Sequence, residues 1–138
     1  MIDYSLELRE AVVTHLQTTV NPGLIAAANI CGFVVPAETS WPFSRIDPTQ
    51  AEGYEESCGS GSFGMFRISV FEKGPDETKC ALLCRAFTES MNAFEMPDPF
   101  ELRTKEFRNQ QIFADQDETD GWHGVIDFDI TVFRRVTV

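Results

Sequence analysis

Between Gly59 and Phe94 the chain changes its hydrophobic period, and that change restricts the available folds more than any other feature. From Phe63 to Phe71 the period is two. Phe66, Ile68 and Val70 fall on one face of a strand, Phe63, Met65 and Phe71 on the other, and only Arg67 and Ser69 interrupt the second set. After Gly74-Pro75-Asp76 the spacing lengthens, and Cys80, Leu83, Cys84, Phe87, Met91 and Phe94 line one face of a helix that Pro97 and Pro99 end. Pro75 suits the first helical turn, where its missing N–H would have been unpaired anyway. A sheet covered by helices on one side needs only one apolar face. The second set, Phe63, Met65 and Phe71, therefore has to meet either more of the same chain or another subunit, and these three are the candidate interface residues.

The strand opens with GSGSFG, which matches GxGxxG at Gly59, Gly61 and Gly64. A dinucleotide fingerprint has to follow a strand and open a helix, so that pyrophosphate meets a helix N-terminus. Here the glycines open a strand, and the reading fails. A kinase glycine loop lies in a hairpin, but no VAIK strand, HRD loop or DFG follows, and 138 residues are too few. The ordinary expectation is a turn in which the glycines supply positive φ.

Around this centre the chain reads as an α+β domain. Residues 3–20 form a first helix, with Leu6, Val12 or Val13, Leu16 and Val20 near helical spacing and Glu7 and Glu10 early, stopped by Asn21-Pro22-Gly23. Leu24 to Asn29 fits a turn or a short helix equally. Phe33-Val34-Val35 suits a short strand leading to an edge segment at Trp41-Pro42-Phe43, and part of Ile46 to Ser57 a strand entering the glycine turn. At the C-terminal end a long hairpin is expected. Phe100, Leu102 and Thr104 alternate with charged residues until Glu106-Phe107 breaks the parity, which indicates a bulge or twist. In its partner, Trp122, Gly124, Ile126, Phe128, Ile130 and Val132 point one way and His123, Asp127, Asp129 and Thr131 the other, with Val125 the exception. The order is α-β-β-β-α-β-β: two helices packed on one face of a mostly antiparallel sheet, in a single domain over residues 1–138.

Charge and cysteine content exclude several functions. The net charge of −11 is spread so that neither half is basic, which disfavours the cationic grip that stable nucleic-acid binding needs. No apolar run approaches 18 residues and the N-terminus lacks signal-peptide texture, so a soluble chain made in a cytoplasm, away from membranes, is expected. Cys31, Cys58, Cys80 and Cys84 are too widely spaced for a CxxC-type zinc site, and Cys80 and Cys84 should pack as small hydrophobes on one helix face. The acidic stretch Asp115 to Gly121 begins like a calcium loop. It has Asp120 where the loop needs glycine and Ile126 where it needs glutamate, so a solvated hairpin tip is the better reading. His15 and His123 stand apart from any nucleophile, and His123 reads as a surface residue of a strand. No catalytic, cofactor-binding or metal-binding residue is assigned.

Taken together, the helix-first start LELREAVVTHL, the turn and aromatic strand SCGSGSFGMFRISVF, the helix TKCALLCRAFTESM and the last strand DGWHGVIDFDITVFR resemble the tail-completion, or tail-terminator, family of long-tailed bacteriophages and prophage-derived particles. The likeness spans nearly the whole chain in element order and texture, without an invariant motif. Trp41-Pro-Phe-Ser-Arg-Ile fits an aromatic, proline-rich strand of that family, while the acidic Asp47 to Glu56 departs from it. The resemblance implies a non-enzymatic virion protein, assembled in the bacterial host cytoplasm and placed at the tail top. There a self-assembled ring, commonly a hexamer, caps the tail tube and meets the head-side connector, with DNA passing through. An acidic surface would let DNA slide without sticking. Two other readings stay open: a head-completion or connector protein of the same neck, and a small cytosolic ligand-binding domain or enzyme.

Overall fold

The computed structural model describes residues 3–136, with the backbone alone at 48–50. Helix α1 spans Ser5–Thr19 and buries Leu8, Val12 and Leu16, which with Tyr4 and Val20 form a stripe of four-residue steps. Leu6 does not join that stripe. Lying two residues from both Tyr4 and Leu8, it projects from the far side of the helix and is 52% exposed. The Asp3 carboxylate accepts from the Ser5 N–H at 2.8 Å and satisfies one unpaired amide of the first turn.

After a short 3₁₀ turn at Ala27–Asn29 comes β1, Ile30–Cys31, which pairs parallel with Ser44 and Arg45. The expected strand at Phe33-Val34-Val35 is therefore misplaced. Ile30 is buried and its carbonyl accepts from Gln17 Nε2 of α1, which anchors these two residues beneath the helix, whereas Phe33 and Val34 run on as an exposed loop.

Strand β2 covers Phe43–Glu56 and β3 covers Gly59–Lys73, joined through Ser57-Cys58. The glycines do not make this turn, and no described glycine has positive φ. Gly59 and Gly61 lie inside β3 for lack of room. A Cβ on Gly61 would run into the Tyr54 ring, and one on Gly59 would run into the Arg134 carbonyl.

Helix α2 spans Thr78–Met91, three residues beyond Pro75, so the proline precedes the first turn instead of occupying it. Asp76 accepts from the Thr78 N–H at 2.9 Å. Strands β4 (Phe100–Ala114) and β5 (Gly121–Arg135) form the closing hairpin. β4 carries register shifts at Leu102/Thr104 and Phe107/Asn109, the second directly after the break in sequence parity.

The five strands among the described residues lie in the order β1-β2-β3-β5-β4, all antiparallel except β1 with β2. Both helices pack on one face. The core between them and the sheet holds Leu16, Phe87, Met91 and Phe94 against Ile46, Phe66, Ile68, Val70, Ile126, Phe128 and Ile130. Every member of the six-residue α2 set, from Cys80 to Phe94, is buried there. No described helix is long and apolar enough to cross a membrane.

Candidate assembly surface

The register places Phe63, Met65 and Phe71 on the helix-free face of the sheet, with Glu52, Thr131 and Asp129 beside the first two. That face has three zones. At one end, Phe43, Phe71, His123 and Phe113 stand opposite one another on β2, β3, β5 and β4. Phe43 stacks on Phe71 at 4.5 Å and Phe71 on His123 at 4.2 Å. Phe113 meets His123 edge-on at 4.8 Å, and Trp41 closes the row against Phe43 and Phe71. Phe71 is thus already flanked by rings of its own chain.

His123 belongs to this row and is not the surface residue that alternation implied. It is half-buried, its Nε2 has no hydrogen-bond partner among the described residues, and burial lowers its pKa below the ordinary imidazole value. A histidine whose folded pKa is depressed contributes stability above its unfolded pKa and loses it as pH falls through the folded one. Urea titrations are therefore expected to show stability falling as pH drops below about 6.5, with the loss much reduced in His123→Phe, which keeps the stacking without the charge.

In the middle zone Arg67 grips Asp127 across β3 and β5 by two hydrogen bonds, Nε to Oδ1 at 2.8 Å and Nη2 to Oδ2 at 3.1 Å. The Asp127 carboxylate raises the guanidinium's pKa further. Asp127 is buried while the Arg67 side chain is 43% exposed, so solvent weakens the pair without removing the need for it. Arg67→Ala is expected to cost about 1–3 kcal/mol by leaving a buried carboxylate unpaired, with part recovered in Arg67→Ala/Asp127→Ala; chemical denaturation of both variants checks this.

At the far end Phe133 is fully buried although it lies on this face. Tyr54 stacks over it, the Arg103 guanidinium sits 3.6 Å from its ring centre, and Arg103 is held in turn by Glu56 at 2.8 Å. Sequence reading missed this group. Its signal was the pair of side-chain-free positions, since Gly61 stands opposite both Phe133 and Tyr54.

Between the aromatic ends lies a shallow depression of about 320 Å³ lined by Glu52, Phe63, Met65, Thr104, Glu106 and Thr131 among others. Phe63 is 48% exposed and Met65 half-buried. Phe63 and Met65 are therefore brought together on open surface, while Phe71 stands six residues, roughly 20 Å, further along β3.

His15, Cys80 and Cys84 are placed structurally, while the free Cys58 thiol is exposed. His15 Nε2 lies 2.7 Å from the Ser90 carbonyl on the helix side. Cys80 and Cys84 are buried side by side beneath α2, and the contact with Cys80 together with burial pushes the Cys84 thiol up, which keeps it protonated and unreactive. The acidic tip is a hairpin turn in which Asp115 accepts from the Asp117 N–H at 2.9 Å and Asp120 takes the left-handed conformation, φ 59°. No three His, Cys, Asp or Glu side chains converge on a metal-sized site among the described residues.

Solved structures share this fold. One is a chain of the virion of a native gene transfer agent (GTA) particle, which superposes with a TM-score of 0.74 at 16% identity, covering 94% of this chain and 95% of that one. At that identity the likeness is one of fold. No protein-family model matches the sequence, and no curated protein does.

Proposed function

We propose that the chain is a virion structural protein, a tail terminator whose work is assembly and not chemistry. In this reading copies close into a ring, hexameric in the family that the sequence resembles. The ring caps the finished tail tube and joins it to the head-side connector, with DNA crossing the channel. The observation that carries the reading is the whole-chain fold likeness to a chain of a GTA virion. It agrees with a sequence resemblance that was drawn from other grounds, the order and texture of helix, aromatic strand, helix and final strand.

Two further features support it. The helix-free face leaves Phe63 and Met65 on open surface, as an intersubunit or tube-facing contact would need. The net charge of −11 suits a channel past which DNA moves without being held. Phe71 contributes to that face through the aromatic row.

Labelling the protein in intact particles and locating it by electron microscopy tests the placement. A ring directly on the tail tube is expected, whereas a position one layer nearer the head would make it a connector or head-completion protein. Phe63→Thr with Met65→Thr, which keeps strand propensity and places no new charge beside Glu52 and Asp129, is expected to cost at most about 1–2 kcal/mol in thermal unfolding, since neither side chain is in the core, and to abolish complementation of a strain lacking the protein. Complementation by that double variant at the parent level would remove the face from the reading.

A further inference from the structure

Two features on opposite flanks of α1 complement each other. The first is a projecting apolar loop. Phe33 is 58% and Val34 75% exposed, directly after Gly32. Arg9 of α1 lies against this loop, its Cδ and Nε each 3.8 Å from where a Gly32 Cβ would be, and it joins no ion pair among the described residues.

The second is a groove of about 540 Å³ between α1 and residues 95–100, floored by apolar Met96, Pro97 and Phe100 and rimmed by Glu7, Glu10 and Glu95. Among the described residues none of the three carboxylates joins an ion pair, and Glu7 Oε2 is buried without a hydrogen-bond partner. A rim of three acids over an apolar floor, with one orphaned oxygen, fits an apolar segment that carries a cation.

Arg9 is two residues from Glu7, about 200° around the helix, so loop and groove of one molecule face away from each other. Each is left without a partner among the described residues. We propose that Phe33 and Val34 of one copy seat in the Met96–Pro97–Phe100 groove of a second copy, with Arg9 reaching the Glu7–Glu10–Glu95 rim. Because the two surfaces differ, the contact is heterologous and passes head to tail from copy to copy. It rests on the ring reading of the preceding section only for its closure.

The test uses two exposed variants that leave the core untouched: Phe33→Ser/Val34→Ser in the loop and Glu10→Lys/Glu95→Lys on the rim, with circular dichroism to verify folding. In light scattering across a concentration series the parent chain is expected to self-associate. Each variant alone should associate at least tenfold more weakly. An equimolar mixture of the two should stop at a one-to-one heterodimer, because one intact loop and one intact groove remain to meet each other. A parent chain that stays monomeric throughout overturns the inference and assigns the groove to a different protein. Variants that assemble like the parent overturn the contact and leave the ring reading standing. Loss of assembly in both variants, together with open-ended parent chains in place of closed rings, keeps the contact and removes the ring.

Discussion

Phe66→Ala is expected to cost about 3–5 kcal/mol, the range for removing a fully buried aromatic side chain that its neighbours cannot replace. Phe66 is 0% exposed and sits at the centre of β3, with Phe128 opposite it on β5 and the helices above. Its loss opens a cavity where both strands and helices meet, so little of the surroundings can collapse into it. Against a typical domain stability of about 5–15 kcal/mol this is a large share. The change should appear as a lower urea midpoint with an unchanged slope, since no additional surface is exposed on unfolding. A shift below about 1 kcal/mol would mean that the helix layer does not press on the sheet as described.

Gly124→Ala is the second large effect, and its cause is the reverse one. Gly124 lies on β5 directly beneath α2, where a Cβ would run into Cys84 Sγ and lie 3.2 Å from Cys80 Sγ. Cys84 is fully buried and cannot swing away, so α2 has to lift from the sheet. Overpacking of this kind costs about 1–3 kcal/mol. The double variant Gly124→Ala/Cys84→Ala should be more stable than the sum of the two single changes allows, because removing the sulfur makes room for the new methyl. Simple additivity would place α2 further from β5 than the structure has it.

The same close approach explains which parts of the fold could be read from sequence. Periodicity works where one face is buried and the other open. The α2 stripe from Cys80 to Phe94 and the β5 alternation from Trp122 to Val132 both emerged with their core sides correct. The two long hairpins and the α-β-β-β-α-β-β order followed from those patterns. It fails where a residue's neighbour comes from a distant strand. Gly59 and Gly61 looked like turn formers because local chemistry assigns glycine to turns, yet Tyr54, Phe133 and Arg134 require them. His123 looked exposed because alternation assigns it to the open face, and nothing local reveals that Phe71 and Phe113 cover it there. Phe33-Val34-Val35 looked like a strand by composition alone, while Ile30 and Cys31 won the pairing because α1 lies over them. Of the candidate surface, Phe63 and Met65 were legible as outward-facing residues. The ring-flanked state of Phe71 was not, because Phe43 and Trp41 arrive from a separate stretch of chain.

The assembly role is tested most directly by electron microscopy of particles produced in cells that lack this protein. The expected result is filled heads without attached tails, beside free tails whose lengths are no longer regulated, and restoration of joined particles when the intact chain is supplied. Tails of normal, uniform length joined to heads in its absence would contradict a tail-terminating role.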